Sequence, residues 1–357
     1  MLFKYPIQAT IENWVHDCLI EVVKVIHESI NAGSKLPAWP LIVPAAYRDD
    51  LTEPNRPGLR KRIDIYIETV KLLTNDERAR VLEAAEAQNK IASLLSGECD
   101  CEGLQKLPIS VHKPVKELFE FGFHLLGEFE LRDELYWLIH KAMKKPICPF
   151  CGLEYFNRPE GPREALDHYL AKSKYPFAGA NLRNLVPMGY KCNSEHKRDQ
   201  DVLWRTGDIR RTAFDPYSET PHLEISLNNS LLFAGEDNLL PLWSIDFSPN
   251  TPEIETWDEV FHIRVRYIEE VLNPLFLNWI KDFGEWYWIE TSDAHPDNNE
   301  LTKYIAKYIV VLRSMNLTGQ DFLREPVFRM IQKACLEEEL RLFALIRRVI
   351  DEALVKK

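Results

Sequence analysis

Cys148-Pro-Phe-Cys151, Leu166-Asp167-His168-Tyr169-Leu170, Asn184-Leu-Val-Pro187 and Lys191-Cys192-Asn193-Ser-Glu-His196-Lys197 follow one another in a single stretch, and their reading decides the rest of the chain. Cys148 and Cys151 have the spacing of a zinc knuckle. Asp167 and His168 adjoin in a short predicted strand, so their side chains point to opposite faces unless the strand end bends. Asn193 and Lys197 are four apart and share one face of a helix that opens near Cys192. Cys192 and His196 share another face, about 100° round the axis. A lone Asp-His or a lone Cys-x-x-Cys carries little weight, whereas the ordered set in one window is a specific signal.

The same window is basic. Between Lys141 and Arg211 stand 14 Lys/Arg against 8 Asp/Glu, in a chain whose net charge is −11. A basic island in an acidic body suits a focused nucleic-acid site, because phosphate is bound through Lys and Arg. Lys172, Lys174, Arg210 and Arg211 are its candidate backbone contacts, and ordinary solvated side chains are the alternative.

Over roughly Ile147 to Tyr217 the ordered set resembles the HNH endonuclease family, of the kind found in bacterial antiphage defence systems. The resemblance implies a ββα-metal fold, in which two strands and a helix hold one divalent ion against the scissile phosphate. It assigns Asp167 to that ion and Asn184 to bracing the loop and the base. The chain departs from the family pattern twice. Gly189 stands where a second Cys-x-x-Cys has its first cysteine, and three residues rather than two separate Asn193 from Lys197.

Phosphodiester hydrolysis needs a base for water, positive charge on the phosphate and relief of charge on the leaving oxygen. His168 is the natural base, since a neutral imidazole accepts a proton near pH 7. Asp167 and the amide oxygen of Asn193 are hard donors that suit Mg2+ or Mn2+. Lys197 is expected on the phosphate. Cys148, Cys151, Cys192 and His196 make a candidate Cys3His zinc site, the alternative being cysteines that pack as small apolar side chains.

Outside the window the patterns are structural. At 357 residues and 45% hydrophobic content the chain is large enough for two or three lobes. Residues 1–146 read as a helical lobe, 147–220 as the nuclease module, and 221–357 as short strands followed by a C-terminal helical lobe. The expected class is α+β, mostly helical with an embedded ββα-metal module. Helical spacing covers residues 8–32, a start at Thr74 running to about Leu95, Val115–Leu126 and Glu130–Met143. Glu224–Phe233 and Leu242–Phe247 alternate as strands, Thr256 with Glu259 has capping-box spacing, and Val327–Val355 reads as one long helix. Trp286-Tyr-Trp288 and the histidines outside the window are read as core or surface residues.

No apolar run approaches the ~20 residues of a membrane span, the N-terminus has no apolar leader, and seven unevenly spaced cysteines argue against a disulfide framework. A cytoplasmic protein is expected. Its expected partners are nucleic acid, with DNA ahead of RNA, and a regulating protein such as an ATPase, or self-association. A metal-dependent RNase, for instance on tRNA, and a zinc-stabilised interaction module with a vestigial nuclease site are the rival readings.

Overall fold

Apolar side chains at helical spacing wind most of the chain into helices in the computed structural model, which describes residues 2–52, 57–219, 222–234, 239–293 and 295–355. Among these residues the helices are joined by three short antiparallel strand pairs, an α+β arrangement. Two compact units result, one of residues 1–150, 155–220 and 252–261, the other of 151–154, 221–251 and 262–357. The helical segment 1–146 and the central segment thus fall in one unit. The boundary read at 220/221 lies on residues outside the described set.

The first unit runs through α1 (Trp14–Asn31), α2 (Arg48–Leu51), α3 (Pro57–Lys71), α4 (Asn75–Ala87), α5 (Ile91–Ser96), α6 (Ile109–Glu128) and α7 (Leu131–Ala142). β1 (Leu166–His168), β2 (Leu185–Pro187), β3 (Trp204–Arg205), β4 (Ile209–Arg210) and α8 (Pro252–Phe261) complete it. α1 buries Val15, Cys18, Leu19, Val22, Val23 and Ile26, an apolar stripe of helical period. It begins at Trp14 rather than near Gln8, because Ile7–Thr10 forms a separate tight turn and leaves Ile11 exposed. Thr74 and Glu77 form the reciprocal capping box that opens α4. That helix stops at Ala87, short of Leu95. The next residue, Gln88, turns inward to bond the carbonyl of Glu102 (2.8 Å) and the amide of Phe177 (3.1 Å).

β1 and β2 pair antiparallel, with Leu166 opposite Pro187, Asp167 opposite Val186 and His168 opposite Leu185. All six residues are buried. α8 starts at Pro252, where a proline's fixed φ suits the first helical position. Thr256 is therefore a buried mid-helix residue, not the N-cap its capping-box spacing suggested.

In the second unit β5 (Glu224–Ser226) pairs antiparallel with β6 (Asp246–Ser248), and a single bridge joins Leu231 to Leu242. The strands are shorter than the alternation implied, because the chain turns at Asn228-Asn229. α9 (Ile263–Arg266), a wide turn at Tyr267–Leu272, α10 (Asn273–Thr291), α11 (Asn298–Met315), α12 (Arg324–Leu336) and α13 (Leu340–Val355) follow. The long C-terminal helix of the sequence reading is thus two helices. They part at Glu337–Glu339, where Glu338 takes a left-handed φ of 60°, while the apolar period carries on across the break. Trp286 and Tyr287 belong to an aromatic core, with Trp286 4.8 Å from Tyr308 and Tyr308 4.8 Å from Phe328 between ring centroids. No helix among the described residues is long and apolar enough to cross a membrane.

Two buried histidines of α1 contribute to the acid sensitivity of the first unit. Burial holds the imidazole of His16 down to about 3 and that of His27 to about 4, so both are neutral when folded. The unfolded chain binds their protons near pH 6.5 and the folded chain does not, so stability falls as pH drops from about 6.5 towards 4. Urea unfolding at pH 7, 6, 5 and 4 should show a loss on the order of several kcal/mol, at about 1.4 kcal/mol per unit of depressed pKa. His16→Gln should lessen that slope, and a midpoint constant from pH 7 to 4 would refute the assignment.

Candidate active site

The central segment builds a compact constellation on the β1–β2 pair and the helical turn after it. Residues Lys191–Lys197 wind at the wide π pitch, which is uncommon and recurs at functional sites. The turn ends on Arg198 at φ 49°, ψ −118°, a conformation a side-chain-bearing residue seldom adopts.

His168 closes β1. Its Nε2 lies 2.8 Å from the carbonyl oxygen of Gly179. A carbonyl only accepts, so Nε2 carries the proton and the lone pair is on Nδ1. Gly179 can present that carbonyl because it lacks a Cβ, which would lie 2.9 Å from the carbonyl oxygen of Pro176. Burial is the main reason the imidazole is lowered to about 4, with Lys172, Lys197 and Arg132 adding to the effect. The ring of Phe123 packs against that of His168, with centroids 4.8 Å apart.

Asn184, fully buried, ties down the loop between the strands. Its Oδ1 accepts from Leu170 N (2.7 Å), and its Nδ2 donates to the carbonyls of Leu170 (3.0 Å) and Ala178 (3.2 Å). The loop is also anchored to the helices before it. Asn181 Nδ2 donates to Asn89 Oδ1, Asn13 Nδ2 donates to Asn181 Oδ1, and Asn13 Oδ1 accepts from Leu182 N. Tyr5 Oη donates to Pro187 O at 2.6 Å and Tyr217 Oη to Leu185 O, so β2 is held from both ends of the unit.

Lys197 is the main departure from expectation. It is fully buried, 2.9 Å from the carbonyl of His168 and 2.7 Å from Asp167 Oδ2. An ammonium so enclosed holds Asp167 rather than reaching out to a phosphate. Burial pushes the Asp167 carboxyl above its usual range against the pull of Lys197. Asn193, on the same turn, is half-buried, and its side-chain amide makes no hydrogen bond among the described residues.

Arg210 and Arg211 differ from their expected role as well. Arg210 is bound to Asp100 (2.6 Å) and to the carbonyls of Leu94 and Cys99, and Arg211 to Glu259 (2.7 Å) and Asp201 O (2.9 Å). Both brace the unit from within. Lys172 and Lys174 are half-exposed, 3.5 Å from Glu120 and Asp201 respectively, which leaves them near the surface. Sequence reasoning passed over Phe123 and Arg132, which stand beside His168. Arg132 did carry a signal, since a cation in the first turn of a helix opposes the helix dipole.

The thiols form a second feature. Cys148, Cys151 and Cys192 are buried, with their sulfurs within 4.8 Å of one another, a group able to hold a metal ion. Gly189 takes no ligand position but gives its backbone N–H to Cys148 Sγ at 3.4 Å, and Leu153 N–H does the same for Cys151 Sγ at 3.4 Å. Such N–H···S contacts favour thiolates. His196, half-buried on the turn that carries Cys192, is not one of the converging three.

No family model, curated protein or solved structure matches this chain. The site's own geometry therefore carries the functional argument. The roomier cavities of the first unit do not open on His168. One, of about 490 Å³, is lined by Lys106, Lys174, Trp204 and Arg205, and another, of about 700 Å³, by Asn13, His16 and Asn89. Neither lining joins a base to an orienting carbonyl as His168 and Gly179 do.

Proposed function

We propose that this chain is a metal-dependent endonuclease of the HNH kind that hydrolyses phosphodiester bonds of DNA. The observation that carries the reading is the His168–Gly179 hydrogen bond. It puts the proton of the imidazole on Nε2 and leaves Nδ1 as the acceptor, while burial keeps the ring neutral, on the first strand of an antiparallel pair that a helical turn follows. Water loses a proton to Nδ1 as its oxygen bonds to phosphorus. The P–O3′ bond breaks, its electron pair going to the 3′ oxygen. That oxygen takes a proton from solvent, which leaves a 5′-phosphate and a 3′-hydroxyl.

In this reading a hard cation would draw on Asp167 and Asn193, and it would have to displace the Lys197 ammonium from Asp167. Asp167 Oδ2 is buried 2.7 Å from the Lys197 ammonium, and the Asn193 amide is unbonded among the described residues. Asp167 and Asn193 would hold Mg2+ or Mn2+, which when bound polarises the phosphate and offsets charge on the leaving oxygen. Incubation of the protein with supercoiled plasmid in Mg2+, Mn2+ or EDTA tests the reading. Nicking or linearisation in metal but not in EDTA is expected, and cleavage of RNA with plasmid untouched would overturn the DNA assignment.

The cysteine cluster serves a structural zinc in this reading, and His196, which lies outside the converging three, would supply the fourth ligand. Protein purified without chelators should carry one zinc per chain by mass spectrometry of metals. Replacing Cys148 and Cys192 together by serine should abolish that zinc and lower the melting temperature. Metal-free wild-type protein with unchanged stability would refute the zinc role.

A further inference from the structure

Arg132 is a cation beside the candidate base with no ion-pair partner among the described residues. It makes no hydrogen bond and no ion pair among the described residues, and its Nε is buried without a partner. Three cations bear most on His168, and the other two are engaged: Lys172 with Glu120 at 3.5 Å, Lys197 with Asp167 at 2.7 Å. The neighbouring carboxylate of Asp133 is taken by Arg163 at 2.6 Å.

The niche that holds Arg132 is built for it. Its guanidinium lies 4.6 Å from the centroid of Phe123, the same ring that packs on His168. Beneath it is Gly127, where a Cβ would fall 1.9 Å from Nη2, so any side chain there would evict the guanidinium. Arg132 also sits in the first turn of the twelve-residue α7, whose dipole is already complemented by Asp133 and Glu134, so the anion it calls for is set by its own buried donor. An arriving phosphate would satisfy that donor.

We propose that Arg132 grips the scissile phosphate of DNA at this site. The role rests on the nuclease reading above. The planar guanidinium donates two parallel hydrogen bonds to non-bridging oxygens, which gain charge as water adds and the P–O3′ bond breaks. It supplies the phosphate contact that Lys197, enclosed on Asp167, does not.

The test uses the full chain and its Arg132→Ala, Arg132→Lys and Gly127→Ala variants on a labelled DNA duplex. Cleavage is followed in Mg2+ and Mn2+, and binding by anisotropy in EDTA over a range of salt. Arg132→Ala should lose roughly 10²–10³-fold in kcat. Its plot of log affinity against log salt should flatten by about 0.9, the loss of one phosphate contact. Arg132→Lys keeps the charge without the fork and should recover only part of both. Gly127→Ala adds a good helix former, so it should match or exceed wild-type stability while sharing the defect. Wild-type cleavage and binding by Arg132→Ala, in a protein whose cleavage requires His168, would reject Arg132 alone. A wild-type protein that neither binds nor cuts DNA would reject both Arg132 and the nuclease reading.

Discussion

His168→Ala should lower DNA cleavage by about 10²–10⁴-fold, the range for loss of a positioned general base. The loss falls on kcat, because the imidazole takes its proton only as water attacks. The change also leaves the buried Gly179 carbonyl without its hydrogen bond, at a cost of about 1–3 kcal/mol, which a stably folded chain should survive at room temperature. Its unfolding curve, recorded beside the cleavage assay, separates a missing base from a missing fold. A folded variant that cuts at the wild-type rate would exclude His168 as the base.

Lys197→Met should be the most damaging change to stability. Lys197 is fully buried and Asp167 nearly so, and methionine leaves the carboxylate enclosed without its counter-ion. Breaking one side of such a pair costs about 3–5 kcal/mol. The deficit should shrink in acid. Without Lys197 the folded-state pKa of Asp167 rises further above its unfolded value, so protonation favours the folded state as pH falls through that raised value. Asp167→Asn combined with Lys197→Met removes both charges and should recover most of the loss. Urea midpoints of the single and double variants decide the matter, and a Lys197→Met protein within 1 kcal/mol of wild type would refute the account.

What was legible in the sequence and what was not divide along a physical line. The capping box at Thr74, the apolar stripe of α1 and the strand at Asp167-His168 are set by residues close together along the chain, whereas its partner at Leu185–Pro187 was expected only from the family resemblance. The approach of Cys192 to Cys148 and Cys151 could be inferred because thiols have few other partners at that spacing. Arg210 and Arg211 could not be placed, because Asp100, Leu94, Cys99 and Glu259 bind them from distant parts of the chain. Lys197 was read by its position on a helix face, and only the strand lying under that face shows that it turns inward onto Asp167. The break at Glu338 escaped notice because its flanking helices keep a common apolar period, and the start of α8 because Pro252 outranks Thr256 as a helix opener.

The amide lattice of Asn13, Gln88, Asn89 and Asn181 has a consequence for how such a site changes over generations. Each of these side chains is bonded to, or belongs to, the loop that carries Gly179, yet three of the four lie well before residue 147. The central segment is therefore not a cassette that could be lifted into another scaffold with its geometry intact. A change at Asn13 on the approach to α1 is felt at the carbonyl that orients His168, so scaffold and site must drift together.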